Sequence, residues 1–260
     1  MAIERIVPGT IEWEAYYANH ISRYQFAGEQ LRGKEIKVLL DAACGVGYGS
    51  AFLANNIEGI SIYAVDRSVE ALEVAKKKFQ NEHVHFMEDD CHTLAKVSTF
   101  GPFDAIVSFE TLEHLPRPGD FLVSCKNNLK DGGVFIVSTP NQPVTSPDGL
   151  KWEYHEKEYT VEEFVELLEK HGFSSIEIYG QKFTPIGKLR QEIHREFNRV
   201  NSNPFFRIGS MIQKKIRGVK FSAVLPEQPE DIEIVHYSNH KGIGIENVNG
   251  PFVLIAVCRK

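Results

Sequence analysis

The sequence predicts an α/β fold, a doubly wound and mostly parallel sheet of seven strands with an antiparallel strand at its edge. Three observations carry this. Short apolar runs alternate with helical patterns from about residue 36 to residue 180. The run VLLD (38–41) passes at once into a loop containing Gly45, Gly47 and Gly49. The run FDAIVSF (103–109) is apolar at almost every position, as in a strand covered on both faces.

The elements follow in order. Residues 11–31 place Trp13, Tyr16, Tyr17, His20, Tyr24 and Ala27 at helical spacing, with Arg23 beside them. Val38–Asp41 is the first strand, and a helix starts with Ser50–Asn55. Ile62–Asp66 is the second strand, and Ser68 caps a helix that runs to Phe79. Val84–Phe86 and Phe103–Phe109 are the third and fourth strands. A helix over Phe121–Leu129 leads through Asp131-Gly132-Gly133 into a fifth strand, Val134–Ser138. Thr160 caps the amphipathic VEEFVELLEKHGF, which Gly172 ends. Ser175–Tyr179 and Phe252–Arg259 are the last two strands. With no crossover helix evident between them, they are expected to pair antiparallel at the sheet edge.

This divides the chain into an N-terminal helical cap (1–34), a main domain (35–180 and 249–260) and a mainly helical insertion before the last strand (181–248). From Gln181 to Lys220 the insertion carries ten Lys/Arg against Glu192 and Glu196, within a chain of net charge −6. That surplus suits a lid drawing in an anionic, phosphate-bearing acceptor, or a solvated helical face. Residues 226–248 read as an irregular connection. The acidic total argues against a dedicated nucleic-acid binder. No apolar run has the length of a membrane span, and MAIERIVPGTIEWE lacks the pattern of a signal peptide. Cys44, Cys91, Cys125 and Cys258 form no CxxC pair, which suits reduced thiols and a cytoplasmic protein. Oligomeric state is open, a homodimer included.

The glycine loop is a place where backbone lies close to a ligand. A dinucleotide fingerprint needs a third glycine where Ser50 stands, and Asp41 would oppose a pyrophosphate. No Gly-Lys-Ser/Thr follows, so a P-loop is excluded. A ligand carrying positive charge fits better. Asp41 lies beside the loop, Asp66 ends the second strand where a ribose would be held, and Asp90-Cys91 follows the third, where an adenine amino group would be met.

On these residues the chain resembles the class I S-adenosylmethionine-dependent methyltransferases, which share a Rossmann-like sheet. The resemblance rests on VLLDAACGVGYG (38–49), IYAVDRS (62–68), VHFMEDDCHTL (84–94), FDAIVSFETLEHL (103–115) and LKDGGVFIVSTPN (129–141). It implies S-adenosylmethionine as cofactor, with Asp41, Gly45 and Gly47 around the methionine part and Ala43 and Tyr48 among the binding residues. It sets Asp66 on the ribose, Asp90 and Cys91 near the adenine, Arg67 beside that ring, and Phe109 and Glu110 on the methionyl side. Of the first helix, Tyr17 and Arg23 are expected among the groups that close over the cofactor. The opening ERIVPGT…YYANHISRYQFA and HEKEYTVEEFVELLEKHGF (155–173) look like methyltransferases of bacterial surface-polysaccharide and other glycan pathways. They imply a sugar or sugar-bearing acceptor.

Methyl transfer is an in-line displacement, and a sugar hydroxyl benefits from a general base. His155 and His114 are the candidate bases, with Glu113 able to orient His114. The spacing of Glu153, His155, Glu156 and Glu158 fits no established ligand set, so no required metal is expected. Transfer to an amine of an amino sugar, or to RNA through the basic insertion, are the competing readings. Against RNA, the fourth strand ends in SFET rather than Asn/Asp-Pro-Pro-aromatic.

Overall fold

The computed structural model describes residues 6–149, 152–190, 192, 229–237 and 250–260. Eight strands form one mixed sheet in the order β3-β2-β1-β4-β5-β8-β6-β7. They are β1 (Val38–Ala42), β2 (Ser61–Asp66), β3 (Val84–Glu88), β4 (Phe103–Ser108), β5 (Leu129–Pro140), β6 (Ser174–Phe183), β7 (Ile232–Tyr237) and β8 (Val253–Arg259). The helices are α1 (Ile11–Leu31), α2 (Tyr48–Asn56), α3 (Val69–Lys78), α4 (Pro118–Asn128), the single turn α5 (Gln142–Thr145) and α6 (Val161–Lys170).

The first five strands pair in parallel. The sequence order reverses between β1 and β4, so the crevice of a doubly wound sheet opens at their carboxyl ends. β4 sits in the middle, and Ala105, Ile106, Val107 and Ser108 are completely buried. Alternation along β1 splits the core. Leu40 and Ala42 join a cluster with Phe121, Leu122 and Cys125 of α4 and Phe164 and Leu168 of α6. Asp41 faces the other way, toward α1 and α2.

Two expectations need correction. The sheet has eight strands, because Ile232–Tyr237 is extended inside the stretch read as an irregular connection. The last strand is also not at the edge. β8 lies between β5 and β6 and is antiparallel to both, and β7 takes the edge. The physical reason is burial: Leu254, Ile255, Ala256 and Cys258 are fully buried, and such a strand gains most from neighbours on both sides.

Local signals were otherwise close to their elements. Ser68 accepts the Ala71 N–H at 3.1 Å and caps α3. Thr160 heads a full capping box on α6, its hydroxyl taking the Glu163 N–H while Glu163 takes the Thr160 N–H. Gly172 ends α6 at φ +80°. Asp131-Gly132-Gly133 falls within the longer β5, with Gly132 at φ +74°.

The chain forms two compact units. Of the described residues, one holds 21–149, 152–182, 234–237 and 250–260, the other 6–20, 183–190, 192 and 229–233. In the second, Trp13 stacks on Tyr17 at 4.3 Å, and Arg190 pairs with the buried Asp231 at 2.9 Å. Of the ten cations of the basic stretch, only Lys182, Lys188 and Arg190 are described. The expected acceptor lid therefore lies largely outside the described residues. No helix among the described residues is long and apolar enough to cross a membrane.

Candidate active site

The site grows from the carboxyl ends of β1, β2, β3 and β4. After β1 the chain turns through Ala43 at φ +66°, Gly45 at φ +57° and Gly47 at φ +83°. The glycines of the loop do different jobs. A Cβ on Gly47 would sit 2.5 Å from the Phe86 ring and 2.8 Å from the Ala75 Cβ. A Cβ on Gly49 would run into the Tyr24 ring. A Cβ on Gly45 would meet nothing within 4 Å, so this glycine faces open space. Gly47 and Gly49 are there for packing, and Gly45 leaves room for a ligand. Gly49→Ala is therefore expected to lose about 1–3 kcal/mol of stability through overpacking. Gly45→Ala should cost about 1 kcal/mol of backbone strain yet impair ligand binding more. Thermal melts and ligand titrations of the two variants separate these effects.

Asp41 is fully buried. Its Oδ2 accepts the Ser50 hydroxyl at 2.6 Å and its Oδ1 the Tyr24 hydroxyl at 3.4 Å. Burial pushes its carboxyl up to about 7, against the lowering effect of those two hydroxyls, with the Asp66 charge adding to the rise. Asp41 thus braces the loop from behind. Ser50, which breaks the dinucleotide fingerprint, is its partner. A carboxyl whose pKa is raised on folding stabilises the protein fully below about pH 4 and loses that contribution as pH rises toward 7. Asp41→Asn is expected to gain on the parent between about pH 5 and pH 8, by up to about 4 kcal/mol. Melting profiles of the two proteins across that range would be parallel if Asp41 did not carry this proton.

Asp66 joins the loop to the next helix. Its Oδ2 accepts the Gly45 N–H at 2.9 Å and its Oδ1 the Ser68 N–H at 2.8 Å. Arg67 is exposed, and its charge acts on the Cys91 thiol. Burial, then the Asp90 charge, push that thiol up to about 11. Asp66, Arg67, Asp90 and Cys91 are therefore neighbours. Asp90 is exposed and holds the His92 N–H and Nδ1, each at 2.9 Å. Those bonds, the backbone one first, draw its carboxyl below the usual range. The adjacent Asp89 is structural: it is buried and accepts the N–H groups of Lys96 and Val97.

Beyond β4 the chain is strained again, with Glu110 at φ +52°. Its N–H donates to Ser138 Oγ at 3.1 Å, and that hydroxyl donates to Glu110 Oε1 at 2.8 Å. Phe109 packs edge-on to Tyr24 at 4.8 Å, and Tyr48 lies edge-on to Tyr24 at 5.9 Å. Arg23 is buried and donates to Gln181 Oε1 at 2.8 Å. Tyr17 belongs to the second unit.

The three candidate catalytic residues converge. The Glu113 carbonyl accepts the N–H groups of Glu156 at 2.6 Å and Lys157 at 3.2 Å, pinning the loop that carries His155. The rings of His114 and His155 meet edge-to-face at 4.9 Å. His114 Nδ1 bonds the Tyr154 carbonyl at 2.9 Å. His155 Nδ1 bonds Glu158 Oε1 at 2.7 Å, and Glu158 Oε2 takes the Thr145 hydroxyl at 2.6 Å. Glu158 was not singled out from the sequence as a partner. The Glu-His spacing of three residues across a loop gives no helical or strand signal. Glu113 is buried, with Thr139 Oγ1 donating to its Oε2 at 3.2 Å. Burial, then the Glu110 charge, hold its carboxyl well above the usual range. Trp152 and Tyr154, on the same loop, are exposed aromatics.

A family profile described as a methyltransferase domain matches residues 14–178. A Mycolicibacterium smegmatis protein named "Probable S-adenosylmethionine-dependent methyltransferase" is 30% identical over 172 residues, covering 65% of this chain and 63% of that protein. A Glaesserella parasuis protein named "Ubiquinone biosynthesis O-methyltransferase" is 27% identical over 191 residues, covering 64% of this chain and 77% of that protein. Among solved structures, a SAM-dependent methyltransferase from Archaeoglobus fulgidus matches with a TM-score of 0.53 at 18% identity, over 94% of this chain and 100% of that one. The [4+2]-cyclase SpnF matches with a TM-score of 0.57 at 15% identity, over 100% and 88%. At such identities the structures speak to the fold alone.

Proposed function

The chain belongs to the methyltransferase-domain family, and on that premise we propose that it moves the methyl group of S-adenosylmethionine to a hydroxyl of a sugar or sugar-bearing small molecule. The observation that carries the cofactor half is the run of acids along one sheet edge, with Gly45 open between them. A sulfonium and an ammonium gain from carboxylates there, where a pyrophosphate would not. Asp66 would hold the ribose and Asp90 the adenine amino group. Asp41 acts through the loop it braces.

The acceptor side is the loop with Trp152, Tyr154 and His155. Exposed aromatic faces beside a polar group suit a sugar ring, apolar on one face and hydroxylated at its rim. The acceptor oxygen attacks the methyl carbon, the carbon–sulfur bond breaks, and its electron pair stays on sulfur. Nε2 of His155 or His114 takes the proton of the attacking O–H, because their Nδ1 atoms are engaged by a carboxylate and a carbonyl and turn Nε2 away from those partners.

A second reading takes its support from the ubiquinone-pathway relatives, whose name is that of O-methyltransferases. The same aromatic loop would stack a phenolic ring. The chain spans 63%, 77% and 53% of the first three relatives, so their acceptors are not simply carried over.

The test is transfer of labelled methyl to two panels, nucleotide-linked sugars and catechol-type rings, with amino sugars and RNA alongside. Hydroxyl methylation of a sugar, lost in a Trp152→Ala variant through a higher KM, is the expected result. Methylation of the rings alone would select the second reading. Methylation of RNA, falling steeply with salt, would contradict both.

A further inference from the structure

We propose that Glu113, His114 and His155 form a binding site for a divalent transition-metal cation on the acceptor side of the sheet edge. The inference rests on the reading of this edge as the acceptor site, and it goes beyond a histidine acting as base.

One ligand atom from each of the three residues lies within 4.8 Å of the other two. The backbone fixes this approach, because the Glu113 carbonyl takes the N–H groups of both Glu156 and Lys157. A cation at about 2.1 Å from each atom would draw them to roughly 3–4 Å apart, a movement within side-chain rotation.

The protonation pattern is set by the partners. A carbonyl only accepts, so His114 donates from Nδ1 to Tyr154, and in the neutral ring its lone pair is on Nε2. His155 donates from Nδ1 to Glu158 Oε1, and its lone pair is on Nε2 as well. Glu158 is itself buried and held by Thr145, the carboxylate–histidine support that metal-binding imidazoles use. His114 Nε2 stands 3.9 Å from Glu113 Oε1. That oxygen is buried and has no hydrogen-bond partner among the described residues. Two imidazole nitrogens and the buried Glu113 Oε1 therefore converge, and a cation that displaces the Glu113 proton would satisfy all three.

Two imidazoles and one carboxylate favour zinc, manganese, iron or cobalt over magnesium or calcium, and the absence of a cysteine in the set speaks against a closed structural zinc site. Three protein ligands leave positions for acceptor oxygens. A bound hydroxyl would lose its proton to solvent more readily, and its oxygen would then form the new bond to the methyl carbon. Residues 153–158 by themselves carry no ligand spacing. Two of the three ligands come from the turn after β4.

The experiment uses tag-free full chain stripped with a chelator. Cobalt(II) is titrated by visible absorption and zinc(II) and manganese(II) by calorimetry, in parent, His155→Ala, Glu113→Gln and Glu158→Gln. One equivalent of metal is expected, about 100-fold weaker or worse without a direct ligand and about 10–100-fold weaker in Glu158→Gln. S-adenosylhomocysteine affinity should be unchanged in all four. Absence of stoichiometric metal, or affinity unmoved by His155→Ala, overturns the site while leaving the methyltransferase reading standing. Should Glu113→Gln fail to fold, the more exposed His155 still decides. Absence of S-adenosylhomocysteine binding in the parent, both with and without metal, would count against the cofactor reading instead.

Discussion

Asp66→Ala is expected to weaken S-adenosylhomocysteine binding by about 100-fold or more, since each hydrogen bond to a charged group is worth about 1.5–3 kcal/mol and two ribose hydroxyls would lose theirs. The residue has a second task. Its two oxygens hold the N–H groups of Gly45 and Ser68, so the alanine variant also loosens the glycine loop and the start of α3. A fall in stability of about 1–3 kcal/mol should accompany the loss of binding. Asp66→Asn separates the two tasks. Its amide keeps one acceptor for the backbone and removes the charge, so it should melt closer to the parent and still bind poorly. Calorimetry and thermal melts on the same preparations check both. An Asp66→Ala protein that binds within about twofold of the parent would remove Asp66 from the cofactor site.

His155→Ala is expected to lower turnover by about 10²–10⁴-fold, with S-adenosylhomocysteine affinity within about twofold of the parent. The imidazole sits on the acceptor loop, and its Nδ1 is spoken for by Glu158 at 2.7 Å. Removing the ring takes away the only group in the 152–158 loop whose nitrogen lone pair is oriented by a buried carboxylate. Glu158→Gln should fall between parent and His155→Ala, because the amide still fixes the ring but no longer favours the same charge distribution. Unchanged turnover in His155→Ala, measured with the acceptor found in the panel, would leave the histidine pair a structural feature.

Much of this architecture was legible because its signals are local. The 3.6-residue pattern and Thr160 cap of α6, the Ser68 cap of α3, and the apolar runs of β1 and β4 each sit within a dozen residues. The acids Asp41, Asp66 and Asp90 were legible for the same reason, since each stands within two residues of the end of its own strand. What failed was long-range. Nothing near Val253–Arg259 says that it inserts between β5 and β6, because that depends on which neighbours bury it. Ile232–Tyr237 lies among prolines and glycines that outweigh six extended residues.

The same division runs through the site. His114 and His155 were singled out separately, each as a loop histidine, and their meeting at 4.9 Å depends on a backbone link made by Glu113. In the sequence Ser50 stands where a dinucleotide loop needs glycine, and Tyr24 is one aromatic of a helical stripe. Their hydroxyls turn out to hold the buried Asp41, one from nine residues ahead and one from α1. Partner choice of this kind is a property of the folded chain.

On the proposed reading, Gly45 and Asp66, on the loop and strand end that Asp41 braces from behind, hold the methionyl and ribosyl parts of S-adenosylmethionine. Calorimetric titration of the purified chain with S-adenosylhomocysteine, with NAD as the paired control, tests it most directly. One molecule of the adenosyl ligand bound per chain, with no heat from NAD, is the predicted result. Binding of NAD without the adenosyl ligand would contradict the claim.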